Sequence, residues 1–332
     1  MGDESVHEAP RTGPASGNSP RSPVVMRSKM FLEIASELVG TPGWTDRQVN
    51  VQFREQGGAN WRLNFFASDT ANSIASVVSG QADIAICNPG GVLAMALHGL
   101  GPYREPIPVR AIVVFPQLDR LGFAIAKRTG VTSLAQIKER QLPLKISLRG
   151  QRDHSVHLII DLVLSTYGFG LSDIQEWGGE LHYTPGLGTA PGRLDAVPSG
   201  KIDLVIDEAF GGLARGAIDL GLTLLPIDEV QLQQLEKLGF SRSRVTKEEF
   251  PGLEQDHDAV DFSGWPVFCL ERTPDDIVTH FCAALENRKG NLPWYGAGPM
   301  DLKHMVSNAP DAPVPIPLHP AAQRFWKQQG YL

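Results

Sequence analysis

Apolar and polar positions in this chain keep changing period. "SKMFLEIASELVG" (28–40) repeats every three to four residues and stops at Gly40, which predicts a helix. "VNVQFRE" (49–55) alternates, which predicts a strand. The same rules predict a helix over 68–80, capped by Ser68 or Asp69 and stopped by Gly80, a strand at "ADIAICN" (82–88) and a helix at "GVLAMALHG" (91–99). Strands follow at "VRAIVVF" (109–115) and "GFAIAKR" (122–128), then a short helix at "SLAQIKE" (133–139). "LKISLR" (144–149) reads as a strand that breaks at Gly150 and feeds an amphipathic helix reaching about Tyr167. "ELHYTP", "KIDLVIDEA" and "LTLLPI" read as strands, and "APGRLDAVPSG" as a helix. Beyond residue 228 the pattern is mainly helical, at "DEVQLQQLEKLGF", "PDDIVTHFCAALEN" and "PLHPAAQRFWKQQGYL". "SGWPVFCLERT" is a strand whose internal Pro266 predicts an edge position.

Alternation of strand and helix predicts an α/β protein. Two segments share one layout. "SDTANSIASVVSGQADIAICN" and "APGRLDAVPSGKIDLVIDEA" both run from a small helix to Ser-Gly, then to Asp and an apolar strand. The repetition predicts two α/β lobes of similar plan. A cleft between such lobes, at the carboxyl ends of their strands, is a common ligand site.

Composition narrows the function. The chain has 332 residues and a formal net charge of −7, which disfavours general nucleic-acid binding. It has no apolar run of membrane-spanning length. Residues 1–24 are polar and rich in Pro, Gly and Ser, which predicts a disordered tail. They hold no apolar segment like that of a signal peptide, so a cytoplasmic location is expected, or a periplasmic one if the true start lies upstream. The three cysteines, Cys87, Cys269 and Cys282, are at no metal-like spacing and read as buried free thiols.

Four stretches in this order resemble the type II periplasmic binding protein fold, and more narrowly the solute receptors of the TAXI family of TRAP transporters. They are "IASVVSGQADIAICN", "RTGVTSLAQIKERQLPLKISL", "SGKIDLVIDEA" followed by "LTLLPID", and "VPIPLHPAAQRFWKQQG". The resemblance implies lobe 1 over 28–117 plus 228–332 and lobe 2 over 118–227, with crossings near Gln117-Leu118 and Ile227-Asp228 and a hinged cleft between the lobes. Two features depart from the family pattern. "SPVVMRSKM" lacks the family's ligand-touching glycine loop, and "REQGGANWRLNFFASD" is longer than its counterpart. The fold therefore carries over better than the transport role, and a transporter partner is expected only if the protein is exported.

Candidate residues cluster at strand ends. At "RGQRDHS" (149–155), Gln151, Arg152 or Asp153 would cap the next helix, whose first N–H groups would hold a carboxylate or phosphate. Arg149 would add a bidentate guanidinium and Ser155 a hydroxyl. His154, His157 and Asp161 have a spacing that can bind a metal, but Asp153, His157 and Asp161 read as one polar helix face instead. His154 is a candidate acid or base. In "NPGG" (88–91), Asn88 would donate its amide to a carboxylate, and Gly90 would let backbone approach a ligand. Ser68 and Thr70 could hydrogen-bond a ligand or simply cap a helix. Glu208, at a strand end, would accept from a ligand donor or act as a base, with Asp207 pointing the other way. Trp61, Phe65 and Phe66 could line an aromatic wall, with core packing as the default. No cofactor is implied. The expected function is binding of a small organic anion. The alternative is a cytosolic lyase on the same fold, a decarboxylase or dehydratase, using His154 and Glu208.

Overall fold

The structure is a computed structural model that describes residues 23–40, 47–54, 60–67, 72–294 and 298–332. The chain divides into two compact units, 1–47 and 48–332. In the first, α1 (Pro23–Val39) buries none of its residues. Most of the expected disordered tail lies outside the described residues; its last two positions, Pro23 and Val24, open α1. Among the described residues no helix is long and apolar enough to cross a membrane.

The second unit begins with β1 (Gln48–Arg54), β2 (Asn60–Phe66), α2 (Ser73–Val78), β3 (Ile84–Ile86), α3 (Gly90–His98) and β4 (Val109–Phe115). It continues through β5 (Gly122–Ile125), α4 (Leu134–Glu139), β6 (Lys145–Arg149), α5 (Ser155–Thr166), α6 (Leu171–Glu176) and β7 (Glu180–Thr184). Then come β8 (Leu204–Asp207), α7 (Phe210–Asp219), β9 (Thr223–Leu224), α8 (Glu229–Lys237), β10 (Arg242–Val245) and β11 (His257–Val260). β12 (Trp265–Leu270), α9 (Asp275–Arg288) and α10 (Pro320–Gln328) complete it.

These strands form two five-stranded sheets, ordered β1-β2-β3-β12-β4 and β7-β6-β8-β5-β9. The sheets share one plan. β2 and β3 are parallel, as are β6 and β8. In each sheet one antiparallel strand, β12 or β5, lies between the third strand and the edge. The outer strands differ: β7 is parallel to β6, whereas β1 is antiparallel to β2. This is the two-lobed α/β plan of type II periplasmic binding proteins.

The two repeated sequence segments occupy matching places. Gly80 and Gly200 both take left-handed φ, +75° and +77°, and end a short helical turn. Asp83 and Asp203 then do the same work. Each donates its backbone N–H to a carbonyl of the neighbouring strand, Asn64 for Asp83 and Lys145 for Asp203, and its carboxylate accepts the same residue's N–H at 3.0 Å. The helix expected over 190–200 is a single 3-10 turn, Leu194–Ala196.

Two expectations change, and the default of core packing holds for Phe65 and Phe66. "NWRLNFF", read as an added stretch, is strand β2, pairing with β1 and with β3. Phe65 packs on Phe281 with ring centroids 5.8 Å apart and Phe66 packs against the larger core, so neither forms an open aromatic wall; the Trp61 side chain lies outside the described residues. Pro266 is not on an edge strand, since β12 lies between β3 and β4. The ladder bond that proline forfeits falls where β3 ends, and there Cys87 N–H still donates to the Pro266 carbonyl at 3.0 Å.

The chain leaves the first sheet across residues 116–121 and re-enters it at Trp265. After the expected crossing at Ile227-Asp228 come α8 and the β10–β11 hairpin, before β12. The two passages are bonded to each other. Leu121 N–H donates to the Val260 carbonyl, Phe262 N–H to Asp119 and Gly264 N–H to Gln117, at 3.0, 3.0 and 2.7 Å. One core gathers α3, α5 and α8, and a second lies between the first sheet and α9 and α10.

Candidate functional site

β6 and β8 are adjacent and parallel, with Ile146 opposite Leu204 and Ser147 opposite Val205. Their carboxyl ends therefore bring Arg149 level with Asp207 and Glu208. Beyond Arg149 the chain must turn against the neighbouring strand. A Cβ on Gly150 would lie 2.7 Å from the Pro185 backbone nitrogen, so only glycine passes there.

The turn ends at His154, which is the cap of α5 in place of the expected Gln151, Arg152 or Asp153. Its Nδ1 accepts the Val156 N–H at 3.1 Å. Its other ring nitrogen, Nε2, is on the side of Glu208. That Nε2 lies 3.8 Å from Glu208 Oε1. The helix start offers an anion less than expected. Val156 N–H is taken by His154, and His157 N–H donates to the His154 carbonyl at 3.2 Å. Ser155, the first helical residue, is fully buried, and Asp153 is half-buried.

Arg149 turns inward and pairs with Glu208. Arg152 turns outward and stacks over Tyr183, 3.6 Å from the ring centroid. His157 meets the same ring at 5.6 Å, and its Nε2 bonds to the Gln151 carbonyl at 2.8 Å. Asp161 accepts from the Leu171 N–H at 3.4 Å. Thus His157 and Asp161 serve the walls of α5, while His154 faces Glu208.

Glu208 is 5% exposed. Burial pushes its carboxyl above the ordinary range, and Asp207 adds to the rise; Arg149 and the His154 imidazole oppose it. Among the described residues, two buried atoms of the Arg149–Glu208 pair have no hydrogen-bond partner: Arg149 Nε, a donor, and Glu208 Oε2, an acceptor. Asp207 points the other way, as strand alternation predicts, and pairs with fully buried Arg193. Arg193 also donates to Ser147 Oγ at 3.0 Å and to the Gly186 and Ile206 carbonyls at 3.0 and 2.8 Å. Asp119, from the first passage, accepts the Phe210 N–H at 3.0 Å; burial raises its carboxyl to about 7 against the pull of Gln117 and backbone donors, with Glu208 adding a further rise.

The other sequence candidates stand elsewhere. Asn88 Nδ2 donates to the Phe262 and Gly264 carbonyls at 2.7 and 2.9 Å. Both amide protons expected for a carboxylate are therefore held by the second passage. Gly90 opens α3, where an added Cβ would lie 2.8 Å from Pro315 Cγ, so its close neighbour is the chain itself. Ser68 and Thr70 lie outside the described residues. All three cysteines are buried thiols outside disulfides, and burial raises Cys269 and Cys282 to about 12. Arg193 and Asp119 were not among the candidates. Nothing local marks either, since their partners lie on other elements.

The chain resembles solved structures at low identity. One is a periplasmic transporter, 13% identical over 79% of this chain and 81% of that one, with a TM-score of 0.34. Another is an R. palustris protein solved with adipate, at 18% over 68% and 71%, TM-score 0.32. A third is a Prochlorococcus marinus (MIT 9301) protein solved with methylphosphonate, at 12% over 78% and 84%, TM-score 0.30. No curated protein matches the chain. The model of the NMT1-like family matches residues 59–330, and the chain belongs to that family.

Proposed function

We propose that the protein binds a small organic anion, a carboxylate, at the Arg149–Glu208–His154 cluster, in the manner of a solute receptor. One observation carries the reading. A half-buried guanidinium and a buried carboxylate stand at the ends of two parallel strands with one buried donor and one buried acceptor unfilled among the described residues. Buried polar atoms without partners are uncommon, and a ligand that supplies the missing bonds explains them. The strand-end location is where open α/β sheets hold ligands. The finer likeness to TAXI receptors belongs to this proposal and rests on the four sequence stretches. With it goes a choice of setting: a cytoplasmic carrier or sensor, or a transporter's receptor if the protein is exported.

The test is thermal stabilisation by acetate, lactate, benzoate and succinate, with the Arg149→Ala variant beside the parent. A hydrogen bond to a charged group is worth about 1.5–3 kcal/mol, so the variant should lose roughly ten- to a hundredfold in affinity for the best of these anions. Equal affinity in the two proteins would show that the anion sits elsewhere.

The 3.8 Å approach of His154 to Glu208 favours one second reading, a lyase acting on a carboxylated substrate. In that case the bound anion is consumed, as proton NMR of the mixture would show. His154→Ala and Glu208→Ala would then stop turnover while some binding remains. A ligand recovered intact after long incubation rules this reading out for that ligand.

A further inference from the structure

We infer that this site takes up its anion together with a proton, which is held on Glu208. The inference rests on the anion-binding reading above and says what kind of binding it is. It starts from the charges that surround Glu208. Arg149 reaches it from β6, His154 from the start of α5, Asp207 from the end of β8 and Asp119 from the first passage. Arg193 stands behind Asp207, and Arg120 gives its backbone N–H to the Glu208 carbonyl at 3.3 Å.

Each arginine in this set already has an anion. Arg149 is matched by Glu208, Arg193 by Asp207, and Arg120 by Glu249 at 2.8 Å. His154 accepts a backbone N–H on Nδ1 and lies 3.8 Å from Glu208 through Nε2. The arginines therefore offer no unmatched guanidinium for an anion to neutralise. An incoming carboxylate must compete with Glu208 for Arg149. If it wins, Glu208 is left as a buried carboxylate without its partner, which is the costly state for such a group. A proton on Glu208 removes that charge and turns the side chain from a rival acceptor into a donor.

The unfilled atoms fit this exchange. Arg149 Nε–H is a donor in want of an acceptor, and Glu208 Oε2 is a site for a proton. A carboxylate that arrives with one proton supplies both: one oxygen accepts from Nε, and the other shares the proton with Oε2. No bond to carbon forms or breaks, and the proton comes from solvent. Burial and Asp207 already press Glu208 toward its protonated form.

Calorimetric titration with acetate, lactate and benzoate tests this. Each is run at one pH in two buffers of different ionisation enthalpy, and then from pH 5 to 8. We expect uptake of about one proton per anion bound and an affinity that falls by about tenfold per pH unit above the Glu208 titration. Glu208→Gln should abolish the uptake and flatten the pH profile, whereas Asp119→Asn should keep the uptake. Anion binding to the parent protein without proton uptake overturns the inference and leaves the anion site standing. Uptake that persists in Glu208→Gln but disappears in Asp119→Asn overturns the assignment to Glu208. Binding of a zwitterion such as alanine without proton uptake, lost in Glu208→Gln, would make Glu208 an ammonium acceptor and also overturn it. If no probe binds the parent or Glu208→Gln at any pH, the anion reading itself fails.

Discussion

Asn88 and Glu208 stand at equivalent places, each just beyond the strand of a Ser-Gly-x-x-Asp unit. Their chemistry has separated. Asn88 spends its amide on two backbone carbonyls, while Glu208 meets Arg149 and keeps one oxygen unfilled. A neutral donor suits a place that only has to hold chain, and an ionisable group suits the one proposed to answer to a ligand. Asp119 lies beside the second of these places and can be read by pH. Its folded value, about 7, exceeds the ordinary 3.8 because burial penalises the charge. Below about pH 4 the group is protonated in both the folded and the unfolded chain, and it contributes nothing to the pH dependence. Between about 4 and 7 the unfolded chain has lost the proton that the folded chain keeps, so stability falls as pH rises, by at most about 1.4 kcal/mol per pH unit. Urea unfolding of the parent and of Asp119→Asn across this window should show the parent losing ground to the variant. Parallel curves would mean that Asp119 titrates normally.

At the scale of the element, the repeated unit is a device for starting a strand in register. A glycine in left-handed conformation ends the preceding turn, and the aspartate three residues on accepts an N–H from the adjacent parallel strand. Asp203 also receives Arg128 at 2.7 Å, so the second copy is tied to the region after β5 as well. The backbone requirement can be isolated at Gly200, where an added Cβ would meet nothing within 4 Å. Gly200→Ala should therefore destabilise by the left-handed penalty alone, about 1–2 kcal/mol. Gly200→Asn should lose less, because Asn tolerates that conformation. Equal losses in denaturant midpoint would point to something other than backbone geometry. A similar substitution at Gly122 faces the Phe210 ring at 2.7 Å and would report packing instead.

At the scale of the whole molecule, two sheets of one plan are joined by two passages that bond to each other and are gripped from both sides. Asn88 holds the second passage, and Arg120, on the first, reaches Ser243 and Glu249 near the β10–β11 hairpin at 2.9 and 2.8 Å. Asn88→Ala strands two buried carbonyls, and a loss of about 1–3 kcal/mol is expected. Hydrogen exchange should quicken first at the Phe262 and Gly264 amides, which bridge to Asp119 and Gln117. Unchanged exchange there would deny Asn88 its part in joining the lobes. Local signals in the sequence were enough for much of this architecture. The period of the apolar residues marked most strands and helices, and the repeated Ser-Gly-x-x-Asp layout announced two like lobes. The alternation along β8 separated Asp207 from Glu208, and the residues around Arg149 and His154 stood out at a strand-to-helix turn. Such features are local, because side-chain direction and turn geometry follow from near neighbours. Tertiary structure alone decided how the polar groups were spent. It gave Asn88 to Phe262 and Gly264, seated Pro266 inside a sheet, buried Arg193 against Asp207 and set Glu208 between Arg149 and His154. Each of these pairings joins distant parts of the chain, and a hydrogen bond between distant residues leaves no period in the sequence to be read.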